Sequence, residues 1–477
     1  MAAPVTDVLG DLRDALATLG ERVGLADVPT LRLGITGLSR AGKTVFITAL
    51  VHALTEGGAL PAFRAHSSGR LARVRIAPQP DAAVPRFQIE EHLRAILDRR
   101  EWPDSTRAIA EMRLLIEYER ERGGRRRLAL DIVDYPGEWL LDLALLDKDF
   151  AAFSREAVEL AALPSRAPLA AEWLDMASRI DPAAPFDEER VEALHRAFVA
   201  YLRACRDDER ALSTLPPGRF LMPGDLDGSP ALTFSPLPEP LADAPRGSIG
   251  RAMAERFEAY KDVVVRPFFR GHFARLDRQV VLVDVLQALN AGPEAVADLR
   301  RALGGILAGF RIGRPGPVAR LFARRIDRIV LAATKADHLH REDHDRLQSI
   351  VATVVDELTS RASAGGAELQ TAALAAVRAT REARSGDGPD ALPLIVGTPI
   401  AGETIDGRRF DGETETAIFP GDLPREPRAA LANDLTDAIR FVRFRPPAVA
   451  RDRTGVQRMP HIRLDRTLEH LLGDRLR

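Results

Sequence analysis

A chain of 477 residues is longer than one compact core ordinarily serves, so two or three structural units are expected. Its 67 Lys and Arg nearly balance 69 Asp and Glu, which argues against a protein whose whole surface neutralises nucleic-acid phosphates, although a local basic patch stays open. The single Cys205 excludes an intrachain disulfide framework and fits a reducing, cytoplasmic setting; no run approaches the roughly 20 apolar residues of a membrane span, so contact with a membrane or a membrane-protein partner would be peripheral.

From the N-terminus, Val5, Val8, Leu12, Leu16, Leu19 and Val23 recur at helical spacing and describe an amphipathic helix, which packs either on the protein's own core or on a partner or membrane surface. Leu31 to Ile35 reads as a buried strand and Val45 to Leu54 as a helix. Between them lies Gly37-Leu38-Ser39-Arg40-Ala41-Gly42-Lys43-Thr44, a full match to the phosphate-loop pattern GxxxxGK[ST]. Gly37 and Gly42 permit the turn that points successive N–H groups, those of Arg40, Ala41 and Gly42 among them, at phosphate oxygens by the positive end of the helix. Lys43 would reach the terminal phosphates and act in catalysis, and Thr44 would ligate Mg²⁺.

Gly57 to Gly69 reads as a loop and Phe87 to Arg99 as a helix. The segment Glu101-Trp102-Pro103-Asp104-Ser105-Thr106-Arg107 then leads into a strand, Met112 to Tyr118. A Thr placed just before the second strand can complete a Mg²⁺ shell, which makes Thr106 a candidate; a Ser/Thr-capped turn is the alternative. Arg127 to Val133 is an apolar strand ending in Asp134-Tyr135-Pro136-Gly137. At such a strand end Asp134 faces a phosphate crevice and can hold a Mg²⁺-bound water, while Gly137 offers its N–H to a γ-phosphate. Glu138 is a candidate to orient a hydrolytic water, at the cost of repulsion from the phosphates unless Mg²⁺ screens it.

Helical periodicity over Phe153 to Ala162, Ala170 to Arg179 and Glu188 to Cys205 marks 139–266 as an inserted, mainly helical domain between the nucleotide-unit parts 1–138 and 267–477. Leu215 to Pro245, crowded with Pro and Gly, is expected to wind over the surface without regular structure. The sheet resumes with strands Gln279 to Val285 and Arg328 to Ala333, separated by a helix Pro293 to Leu307. Thr334-Lys335-Ala336-Asp337 follows, where a carboxylate at Asp337 could accept from N1 and N2 of guanine, which adenine cannot supply. Lys335 would lie along the base with its stem and hold the phosphate loop with its ammonium. His340 and His344 share a helical face and could bind zinc, but no third ligand supports this; His338 reads as a wall of the base pocket. Leu374 to Thr380 reads as the sixth strand, with the Val377 N–H near the guanine oxygen. Asp406-Gly407 and Asp411-Gly412 suggest small hairpins, and Leu431 to Val442 and Leu464 to Leu472 read as helices.

The ordered set GLSRAGKT, WPDST, DYPG, TKAD and LAAVRAT, with RPFFRGHFARLDRQVVLVDVLQALN and the ending HIRLDRTLEHLLGD, resembles the YcjX family of bacterial P-loop GTPase-like stress proteins over nearly the whole chain. The resemblance implies an α/β P-loop NTPase fold of the Ras-like G-domain type, with a mainly parallel sheet, helices on both faces and a helical insertion. It implies GTP and GDP binding with Mg²⁺ and a link to bacterial stress. By the family's pattern Ser39, Gly42, Lys43, Thr44 and Val45 contact the nucleotide, Trp102, Ser105, Thr106 and Arg107 close over it, and Lys335, Asp337, His338 and Val377 form the base site. Thr334 stands where the common GTPase pattern has Asn, and Glu138 where it has Gln. A GTP hydrolase working as a slow switch, an ATPase of the same fold and a nucleotide-stabilised scaffold all need this pocket.

Overall fold

The computed structural model describes residues 28–477 apart from 39, 105–108, 209, 211, 227, 240–242, 310–325, 361–366, 387, 389–390 and 436–437. The helix expected over Val5 to Val23 lies outside the described residues, as do Ser39, Ser105, Thr106 and Arg107.

Among the described residues, seven strands form the main sheet: β1 Thr30–Gly37, β2 Leu71–Ala77, β3 Ala110–Glu119, β4 Arg125–Asp134, β5 Arg278–Val283, β6 Arg328–Ala333 and β7 Glu368–Ala373. Their order is β2-β3-β4-β1-β5-β6-β7. β4, β1, β5, β6 and β7 run parallel, whereas β3 is antiparallel to both β2 and β4. Strands inside a parallel sheet are covered on both faces, and β5, RQVVLV, is buried at every position. β1 lies between β4 and β5, strands that the chain reaches by different routes, so a crevice opens beyond its C-terminal end.

The longer helices are α1 Lys43–Thr55, α2 Phe150–Ala161, α3 Ala167–Ser178, α4 Glu188–Asp207, α5 Ile249–Tyr260, α6 Pro293–Gly309, α7 His344–Ser360 and α8 Leu464–Leu472. α1 and α8 cover one face of the sheet, where Phe46, Leu50, Leu468 and Leu471 are buried with Leu33, Leu114 and Leu130. α8 runs over the predicted residues, its Leu464, Leu468, Leu471 and Leu472 spaced for a single buried stripe. The other face carries α6, α7 and the helices α2 to α5 that lie between β4 and β5. There Trp173, Phe198, Phe257 and Tyr260 share one apolar cluster with Val281, Val283 and Leu331 of the sheet.

Four expectations change. Leu215 to Pro245 does not wind over the surface: Leu215, Phe220, Leu232, Phe234 and Leu237 are buried, and short helical turns at Gly218–Leu221 and Pro230–Leu232 carry them inward. Leu374 to Thr380 is not the last strand of the sheet. β7 ends at Ala373, and the segment after it bridges to the C-terminal stretch at Ala375 and Ile462; Leu374 and Val377 are apolar because they are buried beside β7's end. Leu431 to Val442 is not one helix, since the helix there spans Pro427–Ala432 and Val442 packs instead in a small separate core with Ile395, Phe410, Ile418 and Phe444. That core belongs to a C-terminal module, a three-stranded antiparallel sheet of Arg381–Arg384, Pro393–Gly397 and Thr416–Ile418. Asp406 (φ 48°) and Gly407 (φ 77°) turn a two-residue hairpin beside it, as their sequence suggests, whereas at Asp411-Gly412 the Asp411 carboxylate caps a turn by accepting the N–H groups of Glu413 and Thr414. The sequence reading also passes over β2, an edge strand whose mixed burial and exposed Arg73 hide the alternation of a half-buried strand.

Candidate nucleotide-binding site

A cavity of about 770 Å³ opens beyond the C-terminal end of β1, within the range of sites that enclose a small ligand. The phosphate loop forms one end. Gly37, the last residue of β1, lies beside Leu282 of β5, and Leu38 donates its N–H to the Leu282 carbonyl at 3.2 Å. The loop then turns through left-handed backbone at Arg40 (φ 61°) and Gly42 (φ 79°). A Cβ at Gly42 would meet nothing within 4 Å, so the left-handed angle, and not crowding, calls for glycine there. α1 begins at the next residue with no acidic residue in its first turn. Its positive end therefore faces the cavity without a carboxylate of its own to offset it.

Lys43 reaches across to Asp134 at the end of β4, with Nζ 2.6 Å from Oδ1, and the Asp134 side chain is 1% exposed. Asp134 stands behind Lys43 and is not part of the cavity wall. Thr44 lines the cavity and donates its hydroxyl to the Asp104 carbonyl at 3.4 Å. A Thr hydroxyl in the wall with a carboxylate one shell behind it is a hard-oxygen set that fits Mg²⁺, which keeps several waters and takes its remaining ligands from phosphates. Gly137 packs so tightly on the loop that an added Cβ would lie 1.8 Å from the Gly37 carbonyl oxygen. Glycine is thus what lets the DYPG turn touch the start of the phosphate loop. Glu138, next along, lines the cavity while almost fully buried, and burial pushes its carboxyl above the ordinary glutamate range.

The far end is built from the turns after β6 and β7. Asp337 is buried, accepts the Ala379 N–H on Oδ2 at 2.7 Å, and is pushed up to about 6 by desolvation. Val377 stands in the same wall. Lys335 has left-handed backbone (φ 59°), and its ammonium pairs with Asp284 at the end of β5, 5.4 Å from the Phe441 ring centre. The expected hold of Lys335 on the phosphate loop is not made here, because Asp284 intercepts the ammonium. Thr334 likewise sends both its N–H and its hydroxyl to the Val283 carbonyl, at 2.9 and 3.2 Å, and ties the base turn to β5. His338 lies 5.0 and 5.4 Å from the Phe441 and Phe444 rings, and burial lowers it to about 3, so it is a neutral wall.

Of the residues singled out in the sequence, Arg40, Ala41, Gly42, Lys43, Thr44, Val45, Trp102, Gly137, Glu138, Lys335, Asp337, His338 and Val377 all line this one cavity. Sequence reasoning missed three contributions: Asp207 and Met222 from the segment between β4 and β5, Gln287 and Asn290 from the short helix Val285–Asn290 after β5, and Ile400, Glu403, Phe441, Arg443 and Phe444 from the C-terminal module. The alternation of Phe441, Arg443 and the buried Val442 and Phe444 was the available signal for the C-terminal module. The zinc reading gains nothing, since among the described residues no group of three His, Cys, Asp or Glu is placed to hold a metal, and His344 turns to the Leu339 carbonyl.

Residues 31–476 match the family model of the YcjX-like family, DUF463. The chain is 37% identical over 465 residues to a protein of Escherichia coli named Ras-like GTPase YcjX, covering 94% of this chain and 96% of that one. It is 34% identical over 475 residues to a protein of the same name from Shewanella oneidensis, covering 94% of each. Sheet order, phosphate loop and matched length together make this chain a member of the YcjX-like family, built on a P-loop, Ras-like G-domain fold.

Proposed function

We propose that the protein binds GTP and GDP with Mg²⁺ in this cavity and hydrolyses GTP slowly, as a molecular switch. The observation that carries the reading is the convergence of a phosphate loop and a buried carboxylate in one cavity: Lys43 and Thr44 at one end, Asp337 and Val377 at the other. The names of the two relatives support the same nucleotide. The α1 N–H groups and Lys43 hold the β- and γ-phosphates, and Gly137 offers its N–H to the γ-phosphate. Mg²⁺, when bound, neutralises charge between the phosphates. Thr44 would hold the ion directly, Asp134 through a water, and Thr106 would close its shell. Asp337 pairs with guanine N1–H and N2–H, His338 walls the base, and Val377 offers its N–H to the guanine oxygen. Residues 139–266 read the nucleotide state as an insert between 1–138 and 267–477. A stress-response role rests on the family resemblance, and a cytoplasmic setting on the single Cys205.

A second reading, a nucleotide-stabilised scaffold with negligible hydrolysis, is favoured by Glu138: it is a buried, reluctantly ionised carboxyl where an amide commonly positions water. Single-turnover hydrolysis of GTP by purified protein separates the two. Phosphate release that depends on Mg²⁺ and stops in Lys43→Ala supports the switch. Tight binding with no release in the parent supports the scaffold.

A further inference from the structure

The C-terminal module does more than wall the cavity: it is tied to residues 99–104, whose Trp102 and Pro103 line the same cavity. Trp102 donates its indole N–H to the Phe444 carbonyl at 2.6 Å. Arg445 reaches back and donates to the carbonyls of Arg99, Arg100 and Gly412 at 3.2, 3.3 and 3.0 Å. Arg100, in left-handed backbone (φ 55°), answers with a bond to the Pro446 carbonyl at 3.1 Å. Trp102 also packs against both the sheet core and the module's own small core. The same strand of chain carries Phe441, Arg443 and Phe444 in the cavity wall, where Phe441 and Phe444 flank His338. At the other end of the front segment, the Asp104 carbonyl accepts the Thr44 hydroxyl.

We propose that Arg445 is a positioning residue: it couples the base-side wall of Phe441 and Phe444 to the 99–104 segment, so that a purine filling the base half of the cavity fixes the front segment and, through Asp104, orients Thr44. Arg445 is not in the cavity wall. Its planar fork spans three carbonyls on two segments, which a single ammonium could not do. A ligand that restrains the Phe441–Phe444 stretch is therefore felt at Arg99 and Arg100, which lie outside the cavity wall, as well as at Trp102, which lines it. The inference rests on the nucleotide reading of the cavity and adds the route by which base occupancy reaches the phosphate end.

Hydrogen exchange with and without saturating GDP tests it on the full chain, in the parent, Arg445→Ala and Trp102→Phe. In the parent, GDP slows exchange at Lys43–Thr55, at 441–444 and at 99–104. In Arg445→Ala, protection of Lys43–Thr55 and 441–444 persists, measured at a GDP concentration that saturates the variant, while protection of 99–104 is lost. Trp102→Phe, which keeps a ring but removes the N–H, reduces it in part, and carries the test if Arg445→Ala fails to fold. Undiminished protection of 99–104 in the folded variants overturns the coupling and leaves the nucleotide reading intact. Absence of GDP-dependent protection at Lys43–Thr55 in the parent overturns both.

Discussion

Lys43 and Asp337 stand at opposite ends of the cavity and fail differently when changed. Lys43→Ala removes a charge-assisted contact to phosphate of roughly 1.5 to 3 kcal/mol, a loss of about ten- to a hundredfold in nucleotide affinity. It also removes the 2.6 Å ion pair between Lys43 and the buried Asp134 carboxylate, so the variant should unfold at lower urea than the parent. Calorimetric titration with GDP and a urea melt check both; unchanged binding would remove the phosphate-loop assignment. Asp337 sets a pH dependence. Its carboxyl is raised from the ordinary 3.8 to about 6, so the folded protein holds this proton more tightly than the unfolded chain does. Its contribution to stability is full below about 3.8 and is lost as pH rises through about 6. Guanine recognition moves the opposite way, since only the ionised carboxylate accepts from N1–H and N2–H. The preference for GTP over ATP in competition binding should therefore grow between about pH 5 and pH 7 and then level; a flat ratio across that window would take Asp337 out of base recognition.

The turn after β4 is where the nucleotide site meets the inserted helices. Asp142, buried and pushed up to about 6, accepts the Gly218 N–H at 2.7 Å and the Tyr260 hydroxyl at 2.6 Å. A Cβ at Gly218 would lie 2.2 Å from the Glu138 carbonyl oxygen, so this segment rests on the backbone of the residue that directly follows DYPG. On the proposed switch reading, a shift of Gly137 or Glu138 between diphosphate and triphosphate states would pass to Gly218–Leu221 and to α5. Protection at those two elements should differ between GDP and a non-hydrolysable GTP analogue in the parent. Asp142→Ala leaves the Gly218 N–H and the Tyr260 hydroxyl without their acceptor, costs roughly 1 to 3 kcal/mol for each group left unpaired, and should abolish that difference. Identical protection in both nucleotide states of the parent would favour the scaffold. Gly137→Ala sets a methyl against the Gly37 carbonyl, backbone against backbone, and should lower the denaturation midpoint and weaken GDP binding together.

Across the molecule, what was legible in the sequence is what is encoded locally. The phosphate loop, β1, β5, β6 and α8 announce themselves because motif, continuous apolar run or helical spacing lies within a few neighbouring residues. The segment from Leu215 to Pro245 did not, because Pro and Gly dominate its local pattern while the burial of Phe220 and Phe234 is decided by Phe198, Phe257 and Tyr260 far along the chain. The cavity was legible at its motif-bearing ends and illegible on the side of Phe441 and Arg443, where a short apolar alternation read as a helix. One ligand would join these parts, and a ligand that binds only the folded state raises its stability by about 2.7 kcal/mol at a hundred times its dissociation constant. The most direct measurement is competition of GTP, ATP and XTP for the parent and for Asp337→Asn. An unpaired Asp337 against adenine costs about 1 to 3 kcal/mol, so GTP should displace ATP by about tenfold or more in the parent. In Asp337→Asn the amide can donate to the xanthine carbonyl while its oxygen accepts N1–H, so XTP should gain over GTP. Equal affinity for GTP and ATP in the parent, with no gain for XTP in the variant, would contradict the account.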